Sequence, residues 1–117
     1  MQIASLRFPV VFAGNRDTFL AEQGTAIRGH GAFWTYIDAR DAARACQLAL
    51  ETALDGHQAF NICASKTLIA TPTGELIRKY LPEVTDIRNS DSGNWAGYDA
   101  GKAEMILGFT ARHLLLP

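Results

Sequence analysis

Histidines, cysteines, paired carboxylates and a glycine-bearing loop are where chemistry in this sequence would have to begin. His30, His57 and His113 stand far apart. None has an acid or cysteine at ligand spacing, so all three read as solvated side chains. Asp38 and Asp41 could act as a carboxylate pair, but helix capping explains both: Asp38 as N-cap and Asp41 at N3. Two acids in a first turn also suit the positive end of the helix dipole. Arg40 and Arg44 read as a solvated helix face. Cys46 and Cys63 read as small buried hydrophobes, reduced rather than bridged, in a cytosolic protein. Ser92-Gly-Asn-Trp-Ala-Gly97 has partial glycine spacing, but it follows Asn89-Ser-Asp rather than a buried strand, so it reads as a loop.

The elements that would position these groups follow from patterning. Trp34 to Ile37 is a β-prone run that turns at Asp38 into a helix. Ala42, Ala45, Cys46, Ala49, Leu50 and Ala53 recur on one face of that helix, with Arg40, Arg44, Gln47 and Glu51 opposite. Gly56 supplies the stop. Ile3 to Phe8 reads as a buried parallel strand ended by Pro9, and Ala59 to Cys63 as a second. Val10, Val11 and Phe12 continue extended. Asp17 caps a short helix that Gly24 ends, and Gly29 to Gly31 is a loop. Thr71-Pro72 starts another helix, which Pro82 ends. Val84 to Arg88 is a brief strand candidate, and Asp99 caps a last helix stopped by Gly108. Alternating strands and helices give an α/β architecture.

Composition sets the outer bounds. At 117 residues the chain makes one domain, with 48% hydrophobic and 20% charged residues, as in a soluble globular protein. The net charge of −1 with interspersed signs argues against a nucleic-acid groove or a membrane patch. No apolar run approaches the ~20 residues of a membrane helix, and the expected setting is cytoplasmic.

Several segments resemble, in order, the NAD-dependent epimerase/dehydratase family (extended short-chain dehydrogenases/reductases). Ser5-Leu-Arg-Phe resembles the strand after that family's catalytic helix, and Pro9-Val-Val-Phe-Ala-Gly its segment beside the nicotinamide. Trp34 to Glu51 resembles the segment after its sixth strand. Ala59-Phe-Asn-Ile resembles its late aromatic-Asn-Ile strand, and Asp99-Ala-Gly-Lys-Ala with Ile106-Leu-Gly-Phe its terminal element. The resemblance implies a Rossmann-like α/β fold of which residues 1–117 are the C-terminal, substrate-binding part. The N-terminal dinucleotide-binding part, with its glycine-rich turn, is expected to be absent.

Carried over by position, Phe8 and Pro9 match residues that touch the nicotinamide. Val10 falls where nucleotide-sugar enzymes often carry an asparagine that holds substrate, Trp34 where many have an arginine for the diphosphate, and Arg88 on a phosphate-binding arginine, so the resemblance implies that these three bind substrate. At that arginine the family's following Gly-Asp is Ser90-Asp91. Valine and tryptophan cannot pair with phosphate, so the resemblance points to a smaller sugar or sugar acid rather than a nucleotide diphosphate. Tyr98 and Lys102 have the spacing of the family's catalytic Tyr-x-x-x-Lys, but at the wrong end of the chain, so no catalytic residue is assigned. NAD or NADP would serve the full-length parent, in hydride transfer at a sugar hydroxyl or carbonyl. No cofactor, and hence no turnover, is expected of this chain alone. A self-standing, non-catalytic ligand-binding or interaction domain is the rival reading. Exposed strand edges imply a homo-oligomer, with Leu6, Phe8, Val10, Phe60 and Ile62 at the contact.

Overall fold

The computed structural model describes residues 1–23, 32–89 and 92–116. The expected stop at Gly24, the loop 29–31, His30 and Ser90-Asp91 lie outside them.

Short apolar runs pair as parallel strands. β1 (Ile3–Arg7) lies beside β4 (His57–Asn61), with Ile3 opposite His57 and Leu6 opposite Phe60. β2 (Val10–Phe12) lies beside β3 (Tyr36–Asp38), with Val10 opposite Tyr36. Side chains alternate across the β1–β4 pair. Ala4, Leu6, Phe60 and Ile62 therefore join one apolar cluster beneath helices, while Ser5 and His57 meet on the other face, Oγ to Nε2 at 2.7 Å. Phe60 and Ile62 are buried by the chain itself, which removes them from the expected contact between copies.

Asp38 caps α2 (Ala39–Glu51) as expected: its Oδ1 accepts from the Arg40 N–H at 2.8 Å, and Arg40 returns two side-chain bonds. The buried face is rotated from the expected one. Asp41 and Ala45 are fully buried, with Ala42, Leu48 and Ala49 partly so, while Cys46 and Ala53 are exposed and Leu50 is 88% exposed. The cause is a tertiary pull on Asp41 and Arg44, given below. Cys63 is buried as expected, just beyond the end of β4, and both thiols are free.

Three other starts shift by a residue or two. α1 (Arg16–Gln23) begins before Asp17, and Asn15 holds its first turn by accepting from the Thr18 N–H at 2.9 Å. α3 (Thr73–Tyr80) has Pro72 rather than Thr71 at its N-cap, and the buried Thr73 hydroxyl donates instead to the Trp95 carbonyl at 2.6 Å. α4 (Gly101–Leu107) starts from Ala100, although the Asp99 Oδ1 still accepts from the Gly101 N–H at 2.7 Å. Its end is as expected: Gly108 at φ 69° is left-handed, with Gly108 N–H on the Glu104 carbonyl and Phe109 N–H on that of Ala103. That is the αL type of stop, with the Gly108 N–H closing on the carbonyl four residues back, and a Cβ there would be strained.

Two expected strands differ. Residues 84–88 form no strand; Val84 and Ile87 instead pack against the core, and Arg88 pairs with Asp86. The run at Trp34 becomes a strand only at Tyr36, because Phe33 and Trp34 take positive φ values of 50° and 57°. Such backbone costs about 1–2 kcal/mol per residue and persists only where surroundings hold it. Here Leu68 N–H donates to the Trp34 carbonyl at 3.0 Å and the Thr35 hydroxyl to that of Ala32.

Two apolar clusters result. One gathers Phe12, Trp34, Tyr36, Leu76 and Leu115; the other gathers Ile37, Ala45, Phe60, Leu107 and Phe109 where α2 and α4 meet the β1–β4 pair. No helix among the described residues is long and apolar enough to cross a membrane.

Candidate functional site

Loops at the ends of β4, α3 and α4 enclose a cleft of about 760 Å³. Cys63, Ala64 and Ser65 follow directly from β4 into its lining, residues 86–89 and 95–101 contribute the greater part, and Phe109 to Ala111 complete it. The stretch 95–101 is fixed by backbone pairing: Ala96 N–H on the Ser65 carbonyl and Thr67 N–H on that of Asn94. A second cavity of about 550 Å³ is lined by Arg7, Phe8, Pro9, Val10, Ala32, Asn61 and Tyr98. Tyr98 borders both cavities.

The junction depends on a close approach. A Cβ on Gly97 would fall 2.4 Å from the Phe33 Cβ, so only glycine lets the Phe33 side chain lie there. The Phe33 ring meets Tyr98 edge-on, with centroids 5.9 Å apart. Phe33 and Gly97 escape sequence reading: their contact spans the chain and leaves no local signal.

Of the residues singled out from sequence, Phe8, Pro9 and Val10 come together in the second cavity, and Arg88 lines the first. Trp34 does not join them. Its side chain is 1% exposed in the apolar core, against the Tyr80 ring, so it cannot meet a ligand. Tyr98 and Lys102 also part company: the Lys102 Nζ sits 5.0 Å over the Phe60 ring and lines neither cavity. No phenol–ammonium pair forms.

Cys63 borders the cleft as a poor nucleophile, since burial, aided by the Asp99 charge, pushes its thiol up to about 11. Its Sγ donates weakly to the Tyr98 carbonyl at 3.5 Å.

The carboxylate expected only to cap proves to be an anchor. Asp41 Oδ2 accepts from the Arg112 and His113 N–H groups at 3.0 and 2.9 Å, and Oδ1 pairs with His113 Nδ1 at 3.0 Å. Burial alone pushes the Asp41 carboxyl up, but the bonds from His113 and Arg112 overcome this and hold it below the usual range. His113 is therefore paired with a buried carboxylate, although its ring stays half-exposed, a correction to the sequence reading. Arg44 is not solvated: it pairs with Asp41 at 3.6 Å, lies 5.0 Å from the Phe109 ring centroid and donates to the Thr110 carbonyl. These contacts, with Leu115 N–H on the Tyr36 hydroxyl at 2.7 Å, tie down the segment that completes the cleft.

Phe8 and Pro9 could wall a nicotinamide ring, whereas two of the helix starts are already capped by side chains. The pyrophosphate of a dinucleotide needs free N–H groups at a helix start. At the start of α2 the Arg40 N–H is taken by Asp38, and at that of α1 the Thr18 N–H is taken by Asn15. Phe8 and Pro9 offer a wall to a ring but no phosphate cradle. Among the described residues, no three His, Cys, Asp or Glu side chains gather as metal ligands.

No family model matches the chain, and no curated protein does. Among solved structures, the chain is similar to MoeE5 in complex with UDP-glucuronic acid and NAD, at a TM-score of 0.53 and 22% identity over 97% of this chain. It is also similar to the UDP-N-acetylglucosamine 4-epimerase from Bacillus cereus, at a TM-score of 0.53 and 18% identity over 98% of this chain. It spans 43% and 40% of those two chains. The chain thus shares a Rossmann-like α/β fold with parallel strands with part of each of those two chains.

Proposed function

We propose that residues 1–117 form the substrate-binding part of an NAD(P)-dependent sugar epimerase/dehydratase or related oxidoreductase, and that they do not turn over alone. The ligand of the cleft is a sugar or sugar acid. One observation supports this above the rest: the cavity lined by Phe8, Pro9 and Val10 meets the cleft lined by Arg88 at the shared Tyr98. A sugar in the cleft would lie beside the wall at which the resemblance places a nicotinamide. NAD or NADP would be held by the remainder of the parent enzyme. Two free thiols agree with a cytoplasmic setting.

The rival, a self-standing ligand-binding domain, draws support from a core that buries Phe60 and Ile62 without outside help. Titration separates the two. The chain should bind NADH with no measurable micromolar affinity by calorimetry, while simple sugars perturb the Gly97 and Tyr98 amide resonances. Micromolar NADH binding would overturn the first reading. Cofactor-dependent turnover on adding a separately expressed dinucleotide-binding part would exclude the second.

A further inference from the structure

We propose that the second cavity is a carboxylate site, in which Arg7 holds the acid group of a sugar acid. The inference rests on the reading of this region as a sugar site and names, within it, the acid and its partner. Arg7 carries the only charge among the described residues that line the cavity. It ends β1, and its backbone is engaged there, the carbonyl accepting from the Ile62 N–H at 3.0 Å. Its side chain is exposed and has no partner among the described residues. Arg88, the arginine that the resemblance marks for phosphate, is by contrast already paired with Asp86.

A guanidinium answers a carboxylate with two parallel N–H bonds, a match of shape as well as of charge. Two further donors stand at the same cavity. The Tyr98 hydroxyl has no partner among the described residues. Asn61, opposite Arg7 in the strand register, gives one amide hydrogen to the Asp99 carbonyl at 3.3 Å and keeps the other. Phe8, Pro9 and Val10 add an apolar wall. An apolar wall with a few polar groups is the usual make-up of a small-molecule site, and a cavity of about 550 Å³ lies within the usual ~300–1,000 Å³. One cation suits a monoanion, because a second negative charge would find no counter-charge among the described lining residues. Tyr98 also borders the cleft. A sugar acid whose ring rests at Tyr98 then has the cleft on one side and Arg7 on the other.

Glucuronate and its amide, glucuronamide, differ in charge but hardly in shape, so the pair isolates the carboxylate. Chemical-shift titration at low salt follows both, with glucose and inorganic phosphate alongside. Glucuronate should move the Arg7 Nε–H, Asn61 and Tyr98 resonances. It should bind about fivefold more tightly than glucuronamide, the scale of one charge-assisted pair at an exposed site. Arg7→Gln should abolish that preference, and Arg7→Lys, which keeps the charge but loses the fork, should cut it to about twofold. Equal affinity for glucuronate and glucuronamide overturns this inference and leaves the sugar-site reading intact. So does a preference that survives Arg7→Gln and disappears in Arg88→Gln. Inorganic phosphate that moves the same resonances as tightly as glucuronate also overturns it, since Arg7 would then be an unselective surface cation. No response to glucuronate, glucuronamide or glucose at tens of millimolar overturns both readings.

Discussion

Removing the Asp41 carboxylate should free the C-terminal segment from the helix. The side chain is fully buried and accepts three bonds, from Arg112 N–H, His113 N–H and His113 Nδ1, at 2.9–3.0 Å. Bonds to a charged acceptor contribute about 1.5–3 kcal/mol each, and water recovers part of that at the half-exposed His113 ring. Asp41→Ala should therefore cost about 3–5 kcal/mol, a large share of the ~6–18 kcal/mol expected for a chain this size. Asp41→Asn keeps one acceptor for the backbone pair and should cost about half as much. Urea denaturation reads both, and amide exchange at Arg112 and His113 locates the loss. Acidity gives a second check. Because the folded carboxyl titrates below its ordinary 3.8, its contribution is complete above that value and fades as pH falls through the folded pKa. Asp41→Asn should thus flatten the stability profile below about pH 4. A cost under ~1 kcal/mol for Asp41→Ala, or unchanged exchange at the two amides, would refute the anchor.

Gly97→Ala should destabilise by about 1–3 kcal/mol, as overpacking does, and should shift the Phe33 and Tyr98 ring resonances; an unmoved melting midpoint would mean that Phe33 has room. Cys46 should react with iodoacetamide at pH 8 while Cys63 stays protected, and mass spectrometry showing Cys63 labelled in the folded protein would contradict its burial and raised pKa. Asp38→Ala should cost about 1 kcal/mol through loss of the α2 cap, so an unchanged denaturation midpoint would place the helix start elsewhere. Sedimentation equilibrium should show self-association through the outer edges of β1 and β2, which belong to separate sheets, with Ile3, Phe8 and Val11 exposed nearby; a monomer throughout the micromolar range would count against those edges.

What was legible in the sequence was local. Asp38 and Gly108 are read correctly because a cap and a left-handed stop are set by the few residues around them. β1 and β4 are located by their apolar residues, but β4 spans His57–Asn61 rather than Ala59–Cys63, and apart from Phe60 neither strand is fully buried. On α2, side-chain type does not decide burial. Asp41 is polar yet buried, since a partner 72 residues away satisfies it, while Leu50 is apolar yet exposed because nothing in the chain covers it. The substrate-binding role of Trp34 rests on position alone. Its left-handed backbone turns the indole into the core, and that reversal depends on the Leu68 bond and the Phe33–Gly97 approach, neither of which is a neighbour in sequence.

The cleft and the anchor are mechanically one arrangement. Gly108 reverses the chain at the end of α4, and Phe109 drops into the cluster beneath Arg44. Phe109, Thr110 and Ala111 then border the cleft, and the next two residues are bonded to Asp41. The segment has a fixed point at each end, the left-handed turn at Gly108 and the Asp41 carboxylate, with a second hold at the Tyr36 hydroxyl on Leu115. Three lining residues between such points have little freedom to move apart from α2. A polar group buried at the start of one helix therefore sets the position of a wall that belongs to the end of another.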